Sequence, residues 1–444
     1  MPKVKKNKRR NLSYRDINNN EPPSNAKYYF ENGLRKVMPY FYTYQTFTKG
    51  RWYDKSIYSI FCKEFQDHTP EYYKKAIETG KIKVNDKIVS PDYLLKNGDV
   101  VSHSIHRHEP PVTDQKIEII EKTNDFLIIN KPSSIPVHPS GRYNHNTVLH
   151  ILMNEYGYEK LYPSNRLDRL TSGLNIICLN PEKAKEMEYN LRHKTILKEY
   201  LARVVGNFPN EEIVCNEPIL TVSFKLGLNS VSPDGKPCTT IFKKLSYNGK
   251  TSLILCKPLT GRTHQIRVHL QYLGYPIAND PLYSKPEIWG EHCGKGGVNK
   301  EAMNKVIENM MSMGFPNLET KEEKDQEKKN INGNDNQVQN QDHCQNQNSS
   351  ENTIVKEKPS WYVESCDDCI HPKSDPKPHQ MCIWLHAYSY ASNNDEVKEK
   401  EGTSTNTNVA SATPEKSDIP QTKEDAWSFK TSLPDWAKDD FVEP

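Results

Sequence analysis

The sequence predicts an α+β protein: a body built on a mixed, mainly antiparallel sheet, a small αβ module ahead of it, and long polar segments that stay disordered. Three observations carry this prediction. Between residues 115 and 285, strand-like runs outnumber helical ones. Residues 51–108 read as helix, helix, hairpin. Hydrophobic residues make up 35% of the 444, against roughly 45–50% in a compact domain, a figure that also counts glycine. A good part of the chain therefore cannot bury enough apolar surface to fold.

Residues 1–27 form a basic arm. The first twenty carry seven Lys and Arg against one Asp, a balance that suits a polyanion such as nucleic acid and is also found in solvated termini. Lys5-Lys6-Asn7-Lys8-Arg9-Arg10 reads as an RNA-contacting arm or a nuclear address. Residues 28–110 follow, with the small module at about 51–108. Ile57, Ile60, Phe61 and Phe65 have helical spacing. Thr69-Pro70-Glu71 opens a second helix, with Thr as N-cap and Pro at the first position, and Gly80 ends it. Ile82-Lys83-Val84, the turn Asn85-Asp86 and Lys87-Ile88-Val89 predict a hairpin, and Asn97-Gly98-Asp99 a further turn.

The body spans 111–318. Residues 117–120 and 126–129 flank Thr123-Asn124-Asp125 as a hairpin, and 148–153 are helical. A buried strand at 173–179 precedes a helix at 181–193 that opens with Pro. Strands follow at 201–205 and 251–257, the latter leading into a helical stretch at 263–273. Residues 319–358 are Glu, Lys, Asn, Gln and Asp with almost nothing apolar, and predict a disordered insertion. Residues 359–392 complete the body, with a final core strand at 382–388. The tail, 393–444, is acidic and mostly disordered. Trp427, Phe429, Trp436 and Phe441 are its points of docking.

The ten cysteines are scattered, mostly in strand-like or apolar settings, which fits reduced thiols rather than a disulfide framework. No apolar run approaches the length of a membrane helix, and the Lys-rich start lacks the apolar core of a secretory signal. The first turns are also too poor in apolar residues for a good amphipathic presequence. A cytoplasmic monomer is expected, with the mitochondrion and the nucleus as alternatives.

Chemistry begins at Asn165-Arg166-Leu167-Asp168-Arg169-Leu170-Thr171-Ser172-Gly173. A carboxylate flanked by guanidiniums favours its charged form and, just ahead of a core strand, can act as nucleophile or base. Alone, the fragment reads better as a surface ion pair, common and worth little. The stretch Gly261-Arg262-Thr263-His264-Gln265-Ile266-Arg267-Val268-His269-Leu270 shifts the balance. If Thr263 caps a helix, Arg267 lies one turn on, on a face able to hold phosphate or a carboxylate.

Together these segments resemble the RluA-type family of pseudouridine synthases. Lys198-Glu199-Tyr200-Leu201-Ala202, Lys131-Pro132, Val137-His138-Pro139, the run from Gly274 through Asn279-Asp280-Pro281-Leu282-Tyr283, and Trp384-Leu385-His386-Ala387 also match. The likeness runs from about 110 to 285 and resumes near 382. It implies the pseudouridine synthase fold, with Asp168 as the catalytic carboxylate and Tyr200 stacked on the target base. It also implies that Arg267 pairs with Asp168 and that Arg166 fills the space left by the flipped uridine. Arg169, Arg262 and His264 are expected to contact RNA. Gly80-Lys81-Ile82-Lys83-Val84-Asn85 resembles the small RNA-binding domain of a ribosomal protein and of many pseudouridine synthases, placing Lys81 and Lys83 on RNA. One departure stands out: Asn165 occupies a position where His is usual, and is expected to tune RNA contacts.

No cofactor is implied, and no Walker loop or dinucleotide fingerprint is present. Cys366-Asp367-Asp368-Cys369, with His371, His379 and Cys382 nearby, has the residue types of a zinc site but lacks a second Cys-x-x-Cys, so no metal is expected. The zinc-deaminase signature carried by some fungal relatives is missing. The module, the insertion and the aromatic tail resemble the eukaryotic branch that modifies uridine 32 of tRNA. The partner expected is therefore tRNA, with ribosomal or messenger RNA as alternatives. A reading of another class is a catalytically silent RNA-binding protein on the same fold.

Overall fold

The computed structural model describes residues 26–65, 68–224, 226–315, 358–392, 427–438 and 441. The basic arm up to residue 25, the insertion and most of the acidic tail lie outside them. The described residues form two compact units, one of 26–29, 36–110 and 358–373, the other of 30–35, 111–315 and 374 onward. Residues 359–373, expected in the body, pack with the small unit instead.

In the small unit, β1 (Tyr40–Phe47), β2 (Ile82–Val84) and β3 (Val100–Arg107) form an antiparallel sheet in the order β1-β3-β2. Helix α1 (Ile57–Ile60) is capped by the Ser56 hydroxyl and runs on as a π turn, Phe61–Phe65. Helix α2 (Pro70–Glu78) is capped by Thr69, as its sequence predicts. Trp52, Ile57, Phe61, Tyr73, Ile77, Ile82, Leu95 and Val101 make the core. Asn85 and Asp86 both take positive φ, 50° and 61°, so the predicted turn forms. The strand expected at 87–89 shrinks to one bridge between Val84 and Lys87. Ile88 is 61% exposed there, so this segment has no apolar face to bury.

The larger unit is a mixed, mainly antiparallel sheet. Its strands are β4 (Glu118–Lys122), β5 (Phe126–Lys131), β6 (Ser172–Cys178), β7 (Ile196–Val205), β8 (Ile213–Cys215), β9 (Thr240–Tyr247), β10 (Thr251–Pro258), β11 (Leu385–Ser392) and β12 (Ser428–Lys430). Their order is β8-β9-β10-β7-β11-β6-β5-β4. Only β6 and β11 run parallel, joined at Ser172–His386 and Gly173–Ala387, and β12 pairs with the far end of β11. Helices α3 (Val148–Tyr156), α4 (Pro181–Arg192) and α5 (Gln265–Tyr272) pack around this sheet. β11 is the predicted final core strand, and it joins two half-sheets. The aromatic tail docks where it is described: Trp427 and Phe429 stack on each other and pack with Phe126, while Phe441 meets Trp384 edge-on.

Candidate active site

Asp168 lies in the loop that enters β6. Leu167 and Leu170, on either side of the Asp168-Arg169 pair, are buried in two different cores, which staples the loop down at both ends. Behind it stands Lys131, the last residue of β5 and fully buried. Its ammonium donates to the carbonyls of Pro132 (2.8 Å), Ile135 (2.9 Å) and Arg169 (3.3 Å), tying the Pro-Ser loop to the loop of Asp168. All three N–H donors are used. Burial pulls this lysine's pKa down to about 7. Gly173 then takes φ +109°, and a Cβ there would come within 2.3 Å of the Ala387 carbonyl oxygen, so only glycine lets β6 and β11 meet.

The cation facing Asp168 comes from α5, not from its sequence neighbours. Arg267 Nη1 is 3.6 Å and His264 Nε2 3.7 Å from Asp168 Oδ2. Among the described residues no ion pair joins Asp168 to Arg166 or Arg169, which corrects the expectation that they hold its charge. Arg267 is itself held by Asp280, through Nε (2.6 Å) and Nη2 (2.8 Å). Asp280 is fully buried and also accepts the backbone N–H groups of Leu282 and Tyr283. These contacts hold its carboxyl below the usual range against the cost of burial. The Tyr283 ring covers the guanidinium at 4.9 Å.

Helix α5 starts at Gln265, one residue later than a Thr263 cap would have it. His264 sits at the cap position with φ 57° and makes no capping bond, while Gln265 Oε1 accepts the Arg262 N–H instead. That backbone aims the His264 ring toward Asp168. His264 Nδ1 faces the Tyr283 hydroxyl at 2.9 Å and the Asn229 side-chain amide nitrogen, which can only donate, at 3.5 Å, so Nδ1 is the accepting nitrogen. The proton on the ring is thereby placed on Nε2, toward the carboxylate. Burial and Arg267 keep this imidazole neutral down to about pH 4.

Tyr200, on β7 at a bulge, completes the group. Its hydroxyl lies 2.7 Å from that of Tyr390 on β11, and the Asn165 side-chain amide donates to Tyr390 at 3.2 Å. The Asn165 carbonyl oxygen accepts from Ser164 and Asn175. Asn165 is thus tied to the tyrosine pair through one N–H of its amide. Burial raises the pKa of both phenols, so both stay protonated.

The remaining predicted residues are spread out. Arg166 is exposed and makes no hydrogen bond or ion pair among the described residues. Arg169 lies over the Tyr143 ring at 5.6 Å, and Arg262 is exposed, donating to the Pro237 carbonyl. Lys81 and Lys83 lie at and on β2 of the small unit, the first exposed, the second half-exposed. Lys131, Asp280, Tyr283 and Tyr390 were not foreseen as site residues. Three of them sit in quoted motifs, and a buried charge or phenol in such a motif was the available signal.

Residues 125–272, from the start of β5 to the end of α5, match the family model described as RNA pseudouridylate synthase. The chain is 39% identical over 408 residues to the tRNA pseudouridine(32) synthase, mitochondrial, of Saccharomyces cerevisiae, covering 91% of this chain and 77% of that one. The chain belongs to the RNA pseudouridylate synthase family. A second relative, pseudouridylate synthase RPUSD2 of Mus musculus, is 46% identical over 293 residues, and there the match covers 66% of this chain and 52% of the relative. The tRNA pseudouridine(31) synthase of Saccharomyces cerevisiae is 35% identical over 301 residues, covering 57% and 73%. A pseudouridine synthase breaks the N-glycosidic bond of uridine and rejoins the base through carbon. That chemistry asks for a carboxylate open to the nucleotide. Asp168 has a side chain 28% exposed, beside the more deeply buried Arg267 and His264.

Proposed function

We propose that this chain converts uridine 32 of the tRNA anticodon loop to pseudouridine, with Asp168 as the catalytic carboxylate and no cofactor. The observation that carries the assignment is the convergence on Asp168 of Arg267, held from behind by Asp280, and of His264, held by Tyr283. Tyr200 stacks on the uracil, its hydroxyl fixed by Tyr390. Arg166 has no bond to give up among the described residues and enters the stack where the uridine leaves, offsetting an unstacking cost of a few kcal/mol. Arg169, Arg262, Lys81 and Lys83 meet the RNA, and the small unit serves as its second binding surface.

The choice of tRNA rests on the two yeast relatives, whose names place them at neighbouring positions, 32 and 31. Among the described residues no helix is long and apolar enough to cross a membrane. We place the enzyme in the cytoplasm as a monomer. The mitochondrial relative makes that organelle the compartment to compare by fractionation.

Pseudouridine mapping across all RNAs of deletion and wild-type cells tests the proposal. Loss at tRNA position 32 supports it, and loss at 31 moves the target by one nucleotide. Loss at a ribosomal site with unchanged tRNA refutes the substrate. No change on any RNA favours a silent RNA-binding protein.

A further inference from the structure

The small unit contains a cluster that takes no part in the chemistry above. His106, at the end of β3, and His108, two residues on in extended chain, face the same side. Cys366 and Cys369, at the start of a short helix (Asp367–Ile370), come up against them from a point 258 residues later in the chain. One donor atom of each residue lies within 4.8 Å of all the others.

We propose that these four residues bind a structural zinc ion, through His106 Nδ1, His108 Nε2 and the two sulfurs. The distances carry it. His108 Nε2 lies 3.2 Å from His106 Nδ1, 3.6 Å from Cys366 Sγ and 3.4 Å from Cys369 Sγ, and Cys369 Sγ lies 3.4 Å from His106 Nδ1. A ring nitrogen has one lone pair or one proton and serves one partner well, not three. Three close polar neighbours on one nitrogen is what ligands sharing a common centre produce. Bond lengths of about 2.05 Å to nitrogen and 2.3 Å to sulfur give tetrahedral edges of about 3.3 Å between nitrogens and about 3.5 Å from nitrogen to sulfur. The observed spacings lie within about 0.2 Å of those values.

The donor set selects the metal. Two thiolates and two imidazoles in a tetrahedron suit zinc and repel hard cations such as magnesium or calcium. All four positions are filled by protein, which marks a structural rather than a catalytic centre. The backbone supports the sulfurs: the Val363 N–H points at Cys369 Sγ at 3.4 Å, and the N–H groups of Cys369 and Ile370 close on the Cys366 carbonyl at 3.1 Å. His379 and Cys382, near in sequence, belong to the other unit, where Cys382 packs on the His379 carbonyl and Asn279. His371, the third neighbour, is not a member of the cluster. The ion clips residues 358–373 to the end of β3. That segment's only regular α-helix has four residues, too short to stand alone.

The test uses tag-free, full-length protein purified without added metal. Elemental analysis is expected to find one zinc per chain, released by a mercurial reagent. Exchange for cobalt should give the strong visible bands of tetrahedral Co(II) with a thiolate charge-transfer band. Cys366 and Cys369 should resist alkylation until a chelator is added, a readout that needs no variant. The double substitution Cys366→Ser/Cys369→Ser should lose the zinc, while Cys382→Ser keeps it. A folded chain without zinc, a chain holding iron, or zinc that persists in the double variant overturns the proposal.

Discussion

Arg267 gives two nitrogens to Asp280, at 2.6 and 2.8 Å, and reaches Asp168 only with the third, at 3.6 Å. The cation beside Asp168 is therefore positioned by a second, buried carboxylate.

Replacing Asp280 with Asn keeps the shape and strands a buried guanidinium. Breaking a buried pair costs about 3–5 kcal/mol, so urea unfolding of Asp280→Asn should show a lower midpoint and a stability loss of that size, with activity falling alongside it. An unshifted midpoint would show that water reaches the pair.

Asp168→Ala should abolish pseudouridine formation and leave RNA binding within about twofold, because this carboxylate adds no favourable phosphate contact. Its half-open ion pairs are worth about 0–1 kcal/mol, so the unfolding midpoint should barely move. Full activity in this variant would remove Asp168 from the mechanism.

Tyr390→Phe deletes the hydroxyl that links Asn165 to Tyr200. Losing such bonds costs about 1 kcal/mol, so turnover should fall by about fivefold to tenfold at unchanged RNA affinity. Asn165→Ala should weaken turnover in the same direction but less, since Tyr390 keeps Tyr200. Wild-type turnover in both variants would reduce the tyrosine pair to packing.

His264 and His386 are each held neutral down to about pH 4, chiefly by burial. Once unfolded they titrate near 6.5. Between these values the unfolded chain takes up protons that the native chain refuses. Stability should therefore fall as pH drops from 6.5 to 4, by up to about 3 kcal/mol per histidine. Urea midpoints measured from pH 7 to 4.5 should decline, and His386→Gln should flatten the curve. Asp280, with a depressed pKa, begins to lose its contribution only at lower pH. A flat wild-type profile would contradict the buried-neutral assignment.

Strands β4, β5, β6, β7, β10 and β11 and helices α3 to α5 were legible because their periodicity and caps are local, as with Asn180 and Pro181 opening α4, whereas β8, β9 and β12 were not read from the sequence. Asp168, Tyr200 and Arg267 were legible through motifs. The partners that hold them were not, because a hydrogen bond from Asn165 to Tyr390 joins residues 225 apart and leaves no local pattern. The cluster proposed to hold zinc is illegible for the same reason: Cys366-x-x-Cys369 is visible, but His106 and His108 lie about 260 residues away, at and just past the end of β3. Residues 359–373 were expected in the body because sequence order suggested the neighbour that follows them, whereas they cluster with the small unit. The actual neighbour is set by long-range packing.

β11 lies between β6 and β7, yet it is made about 180 residues after them. A ribosome therefore releases Asp168, Tyr200 and Arg267 long before the half-sheets that carry them share a hydrogen bond. A nascent chain halted between residues 272 and 385 contains all three and still lacks β11, the strand that joins β6 to β7. Premature stop codons in the stretch between α5 and β11 should thus behave as complete nulls. The unfinished product exposes two unpaired strand edges, a target for chaperones and proteases.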